Sequence, residues 1–303
     1  MARSSTNPAS VLADVLRPGQ SIELLKALHI LTRDGHLNQD SRRKLKQVYH
    51  LYQFIEKLLV EVTGGQGGAV HLADHGAGKS YLGFILYDLY ARQHPGCHIY
   101  GIETRAELVA RSIALAQRLG FEHMHFLNLS VADSAQSAAL PGQIDVVTAL
   151  HACDTATDDA IEFGLQKQAR AFALVPCCQA EVARHLNQSK ALSLSRTPLA
   201  ELWRHPLHTR EMGSQLTNVM RCLYLEACGY QVTVTELVGW EHSMKNELIL
   251  ARYTGQKKRT AAQRLQAILE EFGIKDLLHQ RFTRLAHNAA DNEPDAPHVN
   301  SAD

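Results

Sequence analysis

The chain has 303 residues, of which 45% are hydrophobic and 20% charged, with 31 lysines and arginines balancing 31 aspartates and glutamates. That length and apolar content suffice for one full α/β core with helical extensions, while the zero net charge excludes a global field drawing the protein to nucleic acid, so any such binding must be local. There is no apolar run of roughly 18 residues and the N-terminus is polar, which predicts neither a membrane span nor a secretory signal and places the chain in the cytoplasm.

In chain order, residues 21–31 and 41–62 read as helices. Leu45, Val48, Tyr52, Ile55 and Leu59 recur at three- and four-residue spacing on the second, with Asp40 or Ser41 as candidate caps. Asp34-Gly35 separates the two helices, and Gly64-Gly65-Gln66-Gly67-Gly68 leads into the first strand. From there strands and helices alternate, the pattern of a parallel sheet covered on both faces. Strands are expected at 69–73, 98–102, 124–128, 144–150, 171–175, 232–237 and 248–253, with helices at 79–93, 106–119, 157–168 and 215–228. The last two strands have no helix between them and should form an antiparallel pair at one edge. An irregular insert at about 180–214 contains Pro198 and Pro206 and is placed near the substrate side of the sheet. The predicted organisation is an N-terminal helical extension (1–63), a Rossmann-like α/β core of seven strands (64–255), a C-terminal helical tail (256–286) and a disordered end (287–303).

Ala73-Asp74-His75-Gly76-Ala77-Gly78-Lys79-Ser80 follows the first strand and fits two different loops. One is a P-loop with alanine in place of its first glycine, which would make the protein a nucleotide hydrolase. The other is Asp-x-Gly-x-Gly, the turn of a Rossmann-like methyltransferase, in which glycines let the backbone approach S-adenosylmethionine. Asp74 would face like charge in a polyphosphate cradle, whereas a ligand with a sulfonium and an ammonium group favours a carboxylate. His98-Ile99-Tyr100-Gly101-Ile102-Glu103 adds an acid at the end of the second strand, where it can accept hydrogen bonds from both ribose hydroxyls. Glu103 could equally cap the next helix. Together Asp74 and Glu103 favour the methyltransferase turn, with Lys79-Ser80 as the start of a helix.

Strands four and five end in His151-Ala152-Cys153-Asp154 and Pro176-Cys177-Cys178, converging on one crevice. His151 and Asp154 are the available bases for an acceptor proton. Asp154 could instead cap the following helix, and Cys177 and Cys178 could be small buried hydrophobes. A sharper alternative makes Cys153 and Cys177 the two cysteines of a cytosine-5 RNA methyltransferase, one thiolate attacking the base and the other cysteine releasing it. Six cysteines without a C-x-x-C pair and 17 scattered histidines predict no metal site and no disulfide framework. The cationic clusters Arg42-Arg43-Lys44 with Lys46, and Lys257-Lys258-Arg259, are the candidate RNA contacts.

These pieces resemble the methyltransferase-domain-32 type of class I methyltransferase, whose relatives include eukaryotic tRNA 2′-O-methyltransferases. The matching segments are Asp74-His75-Gly76-Ala77-Gly78-Lys79-Ser80-Tyr81-Leu82, Gly101-Ile102-Glu103, Leu150-His151-Ala152-Cys153-Asp154, Pro176-Cys177-Cys178 and Ser243-Met244-Lys245-Asn246-Glu247-Leu248. The resemblance implies S-adenosylmethionine held by Asp74, Gly76, Gly78 and Glu103, with Asn128 and Leu129 near the adenine and His151 facing the methyl group. RNA is the expected acceptor, with a protein or small molecule as alternatives. A non-catalytic scaffold that binds the cofactor also remains open.

Overall fold

The computed structural model describes residues 15–64, 68–150, 152–176, 179–189, 198–237 and 247–290. Two helices open it: the short α1 (Ile22–Ala27) and the long α2 (Gln39–Thr63). Asn38, rather than Asp40 or Ser41, caps α2, its side chain accepting from the Ser41 amide at 2.8 Å. An asparagine oxygen satisfies one of the four amides that a helix start leaves unpaired. The predicted stripe is the buried one, since Leu45, Tyr52, Ile55 and Leu59 are each at most 1% exposed.

The remaining elements of the sheet region are β1 (Val70–His75), α3 (Tyr81–Leu89), β2 (Cys97–Glu103), α4 (Ala106–Leu119), β3 (Met124–Asn128), α5 (Val131–Ser134), β4 (Val146–Ala149), α6 (Ala156–Gln166) and β5 (Ala171–Leu174). Further on come α7 (Glu181–Ser189), α8 (Pro206–Ala227), β6 (Tyr230–Glu236), β7 (Glu247–Tyr253), α9 (Arg259–Glu271), α10 (Leu277–Arg281) and α11 (Thr283–Ala290). The seven strands form one sheet in the order β3-β2-β1-β4-β5-β7-β6. β1 pairs in parallel with β2 and β4, β2 with β3 and β4 with β5, whereas β7 runs antiparallel to β5. This is the α/β, Rossmann-like architecture expected, with the order reversing between β1 and β4, where ligands of such sheets bind. β4 and β5 are buried along their whole length because both faces are covered, and β1 is buried at every position but His71.

Compactness divides the chain differently from the predicted domains. One unit comprises the chain through residue 178 together with 232–253, and the other comprises 179–231 together with 254–303. The insert and the tail therefore share one unit instead of decorating the core separately. Within that second unit the insert is more regular than expected. It contains α7 and a 3-10 turn at Pro198–Trp203. Pro206, read as a helix breaker, stands at the first position of α8, where its missing N–H costs nothing and its fixed φ suits a helix start. The tail is three helices rather than one, and residues 287–290, expected to be disordered, continue α11. Residues 291–303 lie outside the described residues. Arg281 grips Glu181 through three N–H···O contacts of 2.7–3.2 Å, joining tail and insert.

Candidate active site

The carboxyl ends of β1, β2 and β4 assemble the site. Asp74 and Thr148 are Cα partners across the β1–β4 pair, so their side chains share a face of the sheet. The Thr148 hydroxyl donates to Asp74 Oδ1 at 2.8 Å. Asp74 is only 2% exposed, and burial raises its pKa to about 7 against the lowering effect of that hydroxyl. A buried carboxylate with one neutral donor is electrostatically unfinished, and a cation placed beside it would restore its charge.

After β1 the chain turns with Gly76 at φ 62° and Gly78 at φ 58°, both left-handed. The two glycines are needed for different reasons. A Cβ on Gly76 would lie 3.3 Å from the Ala152 Cα, so the turn packs directly on the segment that follows β4. At Gly78 the nearest atom to such a Cβ is Arg105 Nη2 at 3.7 Å, which leaves the backbone conformation as the constraint.

Glu103 closes the β2 side. Its Oε2 accepts from the Gly78 amide at 2.8 Å, and Oε1 accepts from the Arg105 amide at 3.0 Å and from Arg105 Nε at 3.0 Å. Burial would raise its pKa, but the Arg105 guanidinium and amide and the Gly78 amide outweigh that and hold it at about 2. The residue that opens α4 is Arg105, which makes no side-chain cap, so Glu103 is not the N-cap of that helix. The Gly78 amide is committed to a carboxylate rather than left open to a phosphate. That geometry disfavours the P-loop reading of the same octapeptide.

Asn128, at the end of β3, donates through Nδ2 to the Glu103 carbonyl at 3.0 Å and to the Thr104 carbonyl at 2.7 Å. Its amide group thus braces the chain that carries Glu103, and the half-buried Leu129 follows it. Asp154 lies before α6 with φ 52°, and the helix opens at Thr155 without a side-chain cap. Thr157 instead donates to the Ala152 carbonyl at 2.6 Å, fixing the segment on which Gly76 rests. Cys153 is exposed and forms no disulfide. His151, Cys177 and Cys178 lie outside the described residues, as do Ser243 to Asn246. Three residues of the site escaped the sequence reading: Thr148, Arg105 and Ala152. Thr148 left one trace, as the hydroxyl in the otherwise apolar run Val146-Val147-Thr148-Ala149-Leu150.

Among the described residues no group of three or more His, Cys, Asp or Glu side chains is arranged to hold a metal. No described helix is long and apolar enough to cross a membrane. The family model described as a methyltransferase domain, type 32, matches residues 43–185. The matched segment contains the glycine turn, Glu103, Asn128 and Asp154. The tight glycine turn beside a buried carboxylate with one neutral donor lies inside that matched segment.

Curated relatives include the glutathione S-transferase C-terminal domain-containing proteins of Homo sapiens and Xenopus laevis, each 25% identical. The first aligns over 72% of this chain and 34% of its own length, the second over 65% and 33%. The chain thus spans about one third of the length of these relatives. Among solved structures, the chain is similar to the magnesium protoporphyrin IX methyltransferase of Synechocystis PCC 6803 with bound S-adenosylhomocysteine. That likeness has 16% identity, covers 82% of this chain and 100% of that one, and has a TM-score of 0.43.

Proposed function

We propose that this protein is an S-adenosylmethionine-dependent methyltransferase that transfers the methyl group to RNA, with Asp74, Gly76, Gly78 and Glu103 holding the cofactor. The observation carrying the RNA assignment is the start of α2, where Arg42, Lys44 and Lys46 are exposed and make no ion pair among the described residues. Unpaired surface cations release counterions when they meet phosphates, which favours a polyanionic acceptor. The second sequence cluster is less free, since Lys258 is tied to Glu226 at 2.6 Å.

In this reading Asp74 receives the cationic part of the cofactor and Glu103 the ribose hydroxyls, sharing its carboxylate with Arg105. The turn at Gly76 and Gly78 lets main chain approach without side chains in the way. Bound this way, the cofactor supplies an electrophilic methyl group. The protein's own contribution is to hold that group and the acceptor in line and to take up an acceptor proton where the acceptor requires it. His151 and Asp154, in the segment after β4, are the proposed bases. Cys177 and Cys178 remain part of the proposed crevice after β5.

The test offers the protein labelled S-adenosylmethionine with RNA, protein and metabolite fractions of a cell extract. Label recovered in RNA, with transfer that weakens as salt rises, is the expected result. Label confined to protein or metabolites overturns the RNA assignment while leaving the methyltransferase intact.

A further inference from the structure

Beside the cofactor turn, α1, the start of α3 and the outer face of α4 enclose a cavity of about 340 Å³, within the range of small-ligand pockets. Its lining includes Lys79, Arg111, Arg118 and His29, and no acidic residue. The floor is different in kind: Leu28 and Ser112 are each 4% exposed. Lys79 and Arg111 are exposed and make no ion pair among the described residues, while Arg118 meets Glu23 at 3.2 Å with both side chains largely in solvent. Two free cations converging on a cavity repel one another, a cost that an anion between them would reverse.

His29 adds an independent sign. Its φ is 56°, and its amide donates to the Lys26 carbonyl at 3.0 Å while the Ile30 amide reaches the Leu25 carbonyl at 2.9 Å. This is the left-handed position that ends a helix, usually occupied by glycine. Filling it with a side chain strains the backbone. The imidazole so placed stands on the rim of the cavity. Strain of this kind persists where the surroundings enforce it, and here it contributes a third proton donor to the same cavity.

We propose that this cavity binds a phosphate group of the methyl acceptor through Lys79, Arg111 and His29. The inference rests on the acceptor reading above and deepens it. Lys79 follows directly on Gly78, so a phosphate seated here anchors the acceptor next to the cofactor turn. The lysine that made the octapeptide resemble a P-loop thus serves a phosphate after all, from outside the loop rather than within it. The chemistry is that of a phosphate mono- or diester, and its source is either an RNA backbone or a phosphorylated small molecule.

The experiment compares the intact protein with a Lys79→Glu/Arg111→Glu variant, both exposed positions whose change spares the core. Three affinities are measured for each: S-adenosylhomocysteine, inorganic phosphate and a short single-stranded oligoribonucleotide. Unchanged S-adenosylhomocysteine affinity shows that the variant is folded and that the cofactor reading stands apart. The expected result is RNA affinity at least tenfold lower in the variant, with the slope of log affinity against log salt reduced by about 0.7, the value for one phosphate contact on a single strand. Phosphate binding that the variant loses, in a protein that binds no RNA, keeps the cavity as a phosphate site and assigns it to a small phosphorylated acceptor. RNA and phosphate affinities equal in the two proteins overturn the proposal. S-adenosylhomocysteine binding absent from the intact protein fails the cofactor reading separately.

Discussion

Thr148 and Asp74 face each other across β4 and β1, and among the described residues the 2.8 Å hydrogen bond from the threonine hydroxyl is the one side-chain contact stabilising a carboxylate that is only 2% exposed. One neutral donor does not offset the burial, so the carboxyl titrates near 7. A cationic ligand needs the ionised form, and below pH 7 binding must first expel a proton. The affinity for S-adenosylhomocysteine should therefore fall about tenfold for each pH unit below 7 and level off above it. Titration calorimetry between pH 5.5 and 8.5 checks this, with Asp74→Asn expected to bind weakly and without that slope.

The same residue carries a stability prediction of opposite sense. Because the folded pKa of Asp74 lies above the unfolded value, the unfolded chain releases its proton first as pH rises, and stability falls between about pH 4 and 7. Asp74→Asn removes that burden and keeps an acceptor for Thr148. It should raise the stability of the cofactor-free protein at pH 8 by up to ~4 kcal/mol, read from urea unfolding. Equal stabilities at pH 8 would show that Asp74 is charged at no cost in the free protein.

Gly76 and Gly78 separate packing from backbone strain. Gly76→Ala must adopt a left-handed conformation and also press its methyl to 3.3 Å from the Ala152 Cα, whereas Gly78→Ala meets only the far end of Arg105 at 3.7 Å. Strain alone costs about 1–2 kcal/mol. Gly78→Ala should lose about that much stability, and Gly76→Ala more, together with a larger loss of S-adenosylhomocysteine affinity because Ala152 must shift. A larger loss at Gly78 would place the close approach at the wrong glycine.

Much of this site is legible in the chain because its parts are local. Asp74 and Glu103 sit at the ends of β1 and β2, Gly76 and Gly78 follow β1 within three residues, and the helix α4 appears at its predicted limits, Ala106–Leu119. The rest depends on contacts far apart in sequence. Thr148 reaches Asp74 across 74 positions, and Ala152 earns its role only by lying under Gly76. Proline misled for a physical reason: the same ring that breaks a helix interior starts one well, and Pro206 is the first residue of α8. The division into units was equally hidden, since the chain leaves the sheet unit after residue 178 and re-enters it at 232.

Glu103 offers a competition experiment. Its carboxylate already accepts from Arg105 at 3.0 Å and from the Gly78 amide at 2.8 Å. Glu103→Ala should weaken S-adenosylhomocysteine by about 1.5–3 kcal/mol, the worth of charge-assisted hydrogen bonds to the ribose. Arg105→Ala should weaken it far less, because it removes a competitor for the same oxygens as well as a brace. Affinity unchanged in Glu103→Ala would limit that carboxylate to holding the turn.

His75 stands next to Asp74 but has no use for its polarity. It is fully buried, its ring meets Phe163 edge-on at 4.3 Å, and among the described residues neither Nδ1 nor Nε2 has a hydrogen-bond partner. Burial alone lowers its pKa to about 3. A base whose folded pKa lies below the unfolded value of 6.5 contributes its full stability above 6.5 and loses it as pH falls towards 3, because the unfolded chain takes up the proton first. At pH 5 that loss amounts to about 2 kcal/mol. His75→Leu removes both the proton linkage and the unsatisfied ring nitrogens, which are worth about 1–3 kcal/mol. The variant should be more stable than the parent at pH 7.5, and its advantage should widen by about 2 kcal/mol at pH 5, measured by urea unfolding at the two pH values. An advantage that stays constant between them would mean that His75 takes up its proton in the folded protein, and that its ring is not sealed between β1 and α6.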